Sequence, residues 1–494
     1  GASRSRLIGQ LLVESILLAA LGGAAGLALA VAMDKALIGL LPEGTIPLTL
    51  SGAPDWTVLG FTVLVSLATG VIFGLIPALQ ATRPQLAATL KDQAGAVVGG
   101  TAVALRKSLV VAQVALSLLL LVAAGLFLQS LRNLKELNPG FDTNRLVAFA
   151  VEPTLNAYKP DWTRQYYRQL REALQRIPGV DSVGLAVIPL LAGNEWDNWV
   201  TVEGYTAKQG ETVDPHMQFC TPGFFETLKI PIVMGRDFTL RDDRSAPKVA
   251  IVNEKFARRY FGNANPIGRR IGMGTDPGTK TDIEIVGVAG DTKYESMRDE
   301  IPYEVYQPSL QTDFVTGMFA YIRTRADAAN LFSMVRKTVR DVDVAVPMYG
   351  MRTVDQQVEN SLVTERMMAT LSSAFGGVAT LLAAMGLYGV MAYMVSRRTR
   401  EIGIRMALGA DRGSVLWLVM REVLVLAAAG LTIGLISAWA ATRLIQAQLF
   451  GIQPFDPATL ALAALGIAFV ATLSGYVPAR RATSIDPMRA LRFE

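Results

Sequence analysis

SRRTREIGIRMALGADR, residues 396–412, is the stretch whose reading decides the fold. It is a basic, partly apolar segment held between two strongly apolar runs, 367–395 and 415–444. Outward from it lie four more such runs, at 7–31, 57–79, 109–131 and 459–477. Each is close to or above the roughly 20 residues that an α-helix needs to cross a hydrocarbon core. Composition agrees, since 51% of the 494 residues are hydrophobic and only 18% are charged. The expectation is a polytopic α-helical membrane protein with six spans and one sizeable polar region. Small residues recur in the runs (Gly22, Gly26, Gly70, Gly74, Gly376, Gly377, Gly430, Gly434) and would let helices approach closely in lipid.

Charge sets the expected orientation. The 47 basic and 42 acidic residues leave a net charge of +5, with Arg gathered beside apolar runs. That pattern reads as topology signals and not as a nucleic-acid surface. Arg4 and Arg6 precede the first run; Arg83, Lys91, Arg106 and Lys107 lie between the second and third. Arg397, Arg398, Arg400, Arg405 and Arg412 lie between the fourth and fifth, and Arg480, Arg481, Arg489 and Arg492 close the chain. The opposite short loops hold Lys35 against Asp34, Glu43, Asp55 and Asp456. The positive-inside rule then puts both termini in the cytoplasm and residues 133–362 outside, with Arg132 and Lys135 as a minor exception.

The polar region reads as an α/β module with a β-rich insertion. A strand is expected at 146–151, a helix at 162–176 with Tyr166, Leu170, Leu174 and Ile177 on one face, and a second strand after a turn at IPG. The order returns with a strand at 319–323, a helix carrying Leu331, Val335 and Val339, and a strand at 344–349. Between them, 200–315 is richer in Gly and Pro, with short strands such as 249–253 and 283–288.

The chain repeats itself. Gly1-Ala2 matches Gly409-Ala410, and Arg4, Glu14, Gly22 and Gly26 match Arg412, Glu422, Gly430 and Gly434. After a length change, Asp55, Gly74, Pro77-Ala78 and Ala81-Thr82 match Asp456, Gly475, Pro478-Ala479 and Ala482-Thr483. Apolar helices supply Leu and Ala matches by chance, but not charged and proline positions in order. Corresponding spans stand four apart in order, first with fifth and second with sixth, so the copies are parallel repeats related by an axis along the membrane normal. The second copy is preceded by a span, the polar region, another span and the basic joint. The chain is therefore expected to be N-terminally cut, holding one complete half and the tail of another.

Chemistry-bearing residues are few. If helical, the joint places Arg398, Glu401 and Arg405 along one stripe, with Glu401 and Arg405 as a favourable i,i+4 pair and Gly409 as a terminator. Residues alone leave it open between a positive-inside loop, a helix lying on the membrane and a helix docking a soluble partner. Glu14 and Glu422 sit about two turns inside their spans. The ordinary reading is an interfacial carboxylate facing water, with Arg421 as a partner in the second copy; the sharper one is a buried link between span and joint, or a proton site. GMGTDPGTKT at 272–281 lacks the Lys directly after its second Gly that a phosphate loop needs, and reads as a hairpin loop. His216 is the single histidine and reads as packed or surface imidazole. Asp291 with Glu295, and Asp242 with Asp243, read as solvated loop charges. Cys220 is the single cysteine, which excludes an intrachain disulfide and a cysteine metal cluster. No catalytic constellation, nucleotide site or metal site stands out.

REIGIRMALGA (400–410), the span carrying Glu422, and PARRATSIDPMRALR (478–492) resemble the FtsX-like permease domain of ABC transporters. FFETLKIPIVMGRDF (224–238), VAIVNEKFARRYF (249–261), NPIGRRI (265–271) and IEIVGVAGD (283–291) resemble the MacB-type periplasmic core domain. The doubled arrangement is similar to the duplicated permeases of acidobacteria. The resemblance implies the tail of a first permease half at 1–92, a linker and span at 93–135, the core domain at 136–362 and a second, three-span half at 363–494. It implies a bacterial inner-membrane subunit without an active site or cofactor of its own. ATP would sit on a separate ABC ATPase subunit, coupled through Arg398, Glu401, Gly403, Arg405 and Gly409. Further partners implied are a second permease half or a homodimer mate, a periplasmic adaptor, and membrane lipids, but no nucleic acid. By the same resemblance, the clients implied are drugs, peptides, lipoproteins or envelope factors. Two other classes of function compete: a non-transporting scaffold that activates an envelope enzyme, and proton-coupled chemistry through Glu14 and Glu422.

Overall fold

A computed structural model describes residues 4–39, 55–81 and 100–483, apart from 157, 209, 313–315, 327 and 453–455. The chain opens with three long helices, α1 (Arg4–Ile38), α2 (Trp56–Ala81) and α3 (Gly100–Glu136). The polar region then runs β1 (Leu146–Val151), α4 (Pro160–Gln175), β2 (Val180–Ala186), β3 (Val200–Val202), β4 (His216–Cys220), α5 (Phe224–Leu228) and β5 (Ile232–Gly235). It continues through β6 (Val249–Asn253), α6 (Glu254–Phe261), β7 (Arg270–Met273), β8 (Ile283–Ala289), β9 (Glu304–Pro308), β10 (Met318–Thr324), α7 (Ala328–Val342), β11 (Met348–Thr353) and α8 (Val354–Ser361). The helices α9 (Val363–Arg397), α10 (Thr399–Ala407), α11 (Arg412–Ile445) and α12 (Pro457–Ala482) complete it. The described residues form two compact units, divided near 131 and 365, with 132–364 as the second.

In the first unit, α1, α3, α9, α11 and α12 are long and apolar enough to cross a membrane, and α2 contains a shorter apolar stretch, Trp56–Ile72. These six helices correspond to the six expected spans. Val114, Leu118 and Val122 of α3 are buried among Leu387 and Met391 of α9, Val423 and Ala427 of α11, and Ile467 and Ala471 of α12. Glycine makes this packing possible. A Cβ at Gly430 would stand 2.6 Å from Val114, and one at Gly434 3.0 Å from the Ala115 carbonyl. The sequence repeat is also a packing repeat. Gly74 of α2 presses on Ser15 of α1, and its counterpart Gly475 of α12 presses on Val423 of α11, the counterpart of Ser15.

The second unit is built on one eleven-stranded sheet, ordered β11-β1-β10-β2-β4-β9-β6-β8-β7-β3, with β5 paired to β8. The two expected strand–helix–strand units do not sit side by side: β10 lies between β1 and β2, antiparallel to both. Tyr166, Leu170 and Leu174 of α4 and Leu331, Val335 and Val339 of α7 bury one helical stripe each against that end of the sheet. A second core gathers Val252, Phe256, Ile271, Ile285 and Val305 at the other end.

Several sequence expectations need correction here. The last strand is Met348–Thr353, not 344–349. Ala345 is held in a turn by Asp343, and Pro347 has no N–H for a ladder, so pairing starts after it. Asp242 is buried, not solvated, and accepts from both terminal nitrogens of Arg236 at 2.8 Å and from Thr239 N–H at 2.7 Å. Asp291 accepts from Lys255 N–H in the first turn of α6 and from Arg258. Within 272–281, residues 274–281 form the expected hairpin loop between antiparallel β7 and β8, and Gly272 and Met273 end β7.

Candidate functional site

The joint of the opening stretch folds as α10, a nine-residue helix between α9 and α11. It ends in a Schellman turn: Gly409 N–H donates to the Met406 carbonyl and Ala410 N–H to that of Arg405. Gly409 supplies the left-handed backbone this turn requires, at φ 94°. The inner face carries Ile402, 1% exposed, and the buried Gly403. Ile402 and Met406 pack with Val395 of α9, Val415 of α11 and Ala482 of α12. Burial of one such side chain stabilises by about 2–3 kcal/mol. The outer face carries the Glu401–Arg405 pair at 2.8 Å, with both side chains about half exposed. A pair of this kind adds only about 0.3–0.5 kcal/mol, so its charges remain available to another molecule.

Glu422 of α11 is the centre of a charged node at the same end. Its carboxylate meets Lys107 of α3 and, at 3.6 Å, Arg398 at the start of α10. Arg421 is exposed and does not fill the partner role expected for it. Adjacent residues on a helix project about 100° apart and do not face each other. Around the node, Arg106 stacks over the Tyr393 ring at 4.3 Å and Arg481 donates to the Tyr388 hydroxyl at 3.1 Å. Thus α3, α9, α10, α11 and α12 are tied together by polar contacts where their basic ends converge. Glu14, the repeat counterpart of Glu422, is exposed on α1. In the sequence Lys107 reads only as one of the topology-setting charges, and the two tyrosines carry no signal of their own. Arg83, Lys91, Arg489 and Arg492 lie outside the described residues.

Among the described residues no group of His, Cys, Asp and Glu is placed to hold a metal ion. His216 packs edge-on against Tyr294 and lies 3.8 Å from Glu195, and Cys220 is buried, with burial raising its thiol well above the ordinary range.

Residues 1–86 and 373–487 match the FtsX-like permease C-terminal family, and residues 108–364 match the MacB-like periplasmic core domain. The chain belongs to the MacB/FtsX-like family of ABC transporter permeases. Its apolar helices and its family make this permease an inner-membrane protein. It is 25% identical over 293 residues to the "Uncharacterized ABC transporter permease YknZ" of Bacillus subtilis, covering 58% of this chain and 71% of that one. It is 27% identical over 283 residues to the "Pyoverdine export ATP-binding/permease protein PvdT" of Pseudomonas aeruginosa, and 26% over 272 to the "Macrolide export ATP-binding/permease protein MacB" of Marinobacter nauticus. The permease spans 41% of each of those two relatives. Among solved structures, the periplasmic region of MacB from Actinobacillus actinomycetemcomitans aligns with 46% of the permease and 98% of that chain, at 12% identity and a TM-score of 0.31.

Proposed function

We propose that this permease transmits the motion of an ABC ATPase subunit, supplied in trans, to its MacB-like domain, and so drives export or extrusion of a client. The observation that carries the reading is α10: an amphipathic helix between two spans, seated by Ile402 and presenting Glu401 and Arg405 outward. An ATPase docking there would press on an element continuous with α9 and α11 and tied to Glu422. The basic ends of the spans would face the cytoplasm and the domain at 132–364 the periplasm.

The test is reconstitution of the permease with its ATP-binding subunit, comparing the native chain with Arg405→Glu and Arg398→Glu. Loss of co-elution, or loss of ATPase activity coupled to the permease, is expected. Arg405 is the cleaner position because its exposed pair contributes little to stability. Unchanged association and coupling in both variants would overturn the reading. A domain at 132–364 that instead retains an envelope enzyme stoichiometrically, with no solute moved, would favour the scaffold role.

A further inference from the structure

The second unit holds a cavity of about 430 Å³ between the loop after β2, the segment after β8, and the turn from β11 into α8. Its walls are mixed: Asn194, Glu295, Ser296, Arg352 and Asn360 stand beside an apolar part that includes Leu191 and Phe319. The volume lies within the range of small-molecule sites, about 300–1,000 Å³.

Arg352 is the informative residue. It is partly buried, and its Nε donates to Gln357 Oε1 at 3.1 Å. Gln357 is 2% exposed and its amide donates to the Leu190 carbonyl, which fixes the guanidinium from behind. The two terminal nitrogens of Arg352 have no acceptor among the described residues. Arg323, on β10 beyond β1, differs: its guanidinium donates to the Thr227, Asn144 and Asp142 carbonyls at 2.7–2.8 Å. Arg352 therefore presents an unused, preorganised fork to the cavity, the geometry that matches a carboxylate. Glu295, on the loop wall, lines the same cavity. Burial, the neighbouring Glu195 and Asp299 and a hydrogen bond with Glu195 push the Glu295 carboxyl up, with His216 opposing in part; a cation bound in the cavity would offset the crowded carboxylates.

We propose that this cavity binds a small zwitterion of the amino-acid or short-peptide class, its carboxylate on Arg352 and its ammonium group at Glu295. The site needs neither α10 nor an ATPase, so it stands or falls apart from the coupling reading. A bound ligand would touch Asn360 on α8, the element that leads directly into α9.

The experiment is calorimetric titration of the full chain in detergent micelles at neutral pH, with tri-alanine, its C-terminal amide and its N-acetyl form as probes. Saturable binding of tri-alanine is expected, with the amide weaker by about tenfold or more and the acetylated form weakened severalfold. Arg352→Gln should remove the distinction between acid and amide, and Glu295→Gln that between free and acetylated peptide. Absence of saturable tri-alanine binding, equal affinity for acid and amide, or a folded Arg352→Gln variant that still discriminates would each overturn the proposal. If Arg352→Gln does not fold, the three probes on the native chain decide alone.

Discussion

Glu304 opens β9 in the centre of the sheet and is 1% exposed. Burial pushes its carboxyl up to about 8 from 4.5, against the hydrogen bonds from Tyr306 and Thr292, and Asp291 adds like charge. The Tyr306 hydroxyl donates at 2.6 Å and Thr292 Oγ1 lies 3.1 Å from the same oxygen. Between about pH 4.5 and pH 8 the folded chain therefore holds a proton that the unfolded chain has released. Stability then falls as pH rises through that window, since the unfolded state binds fewer protons. At about 1.4 kcal/mol per pKa unit, the full span is worth about 5 kcal/mol, of which about 2–3 kcal/mol falls between pH 5 and pH 7. Glu304→Gln keeps the shape and removes the titration. The difference in unfolding free energy between the native chain and the variant, followed by melting in detergent and by hydrogen exchange around β9, cancels the other titrating groups. The variant should match the native chain near pH 5 and exceed it increasingly toward pH 8. A difference that stays flat, or that favours the native chain as pH rises, would refute the argument.

Asp142 runs the opposite way: burial alone would raise its carboxyl, but Lys229 at 2.6 Å, Asn144 and Arg323 together bring it down to about 2. Its contribution is present above about pH 4 and lost as pH falls toward 2, so Asp142→Asn should cost about 2 kcal/mol at neutral pH and flatten acid unfolding. Gly430→Leu would drive a side chain into Val114 of α3 and should destabilise the membrane unit by about 1–3 kcal/mol, read as a lower melting temperature in detergent. Glu422→Gln weakens the ties to Lys107 and Arg398 but leaves the apolar core of the spans intact. Its melting temperature should change little while coupled ATPase activity falls; a parallel loss of both would make Glu422 a stability residue only.

Local patterns were legible where one segment carries the whole signal. The strand at 146–151 is a continuous apolar run and that at 249–253 an apolar run closed by Asn253, and both stand where expected. The stripe of Tyr166, Leu170 and Leu174 needs only the helical period. What stayed hidden depends on how the chain folds back on itself, over long stretches or short ones. Glu304 reads as one polar residue at a strand start, and only the pairing of β9 with β4 and β6 buries it. Arg236 captures Asp242 through a bend that no composition predicts, and Lys107 finds Glu422 across 315 positions. Arg352 is invisible for a related reason. Its interest lies in the acceptors it does not have, and a sequence records no vacancies.

The two repeat copies show why position alone does not assign a role to an intramembrane carboxylate. Glu14 and Glu422 occupy the same register on matching helices, and Gly74 and Gly475 pack the partner helices the same way. Yet Glu422 meets Lys107 and Arg398, whereas Glu14 is exposed. The difference arises from α3 and α10, which lie beside α11. On the proposed reading, that difference is mechanical. The apolar seat of α10 consists of Ile402, Val415 and Ala482 with two partly buried neighbours, worth a few kcal/mol. A partner binding in the micromolar range brings about 8 kcal/mol, enough to displace such a seat. A seat alone would let α10 peel away and dissipate the push. The Glu422 node, with the chain continuing into α9 and α11 at either end, makes moving the spans the alternative to breaking several contacts at once.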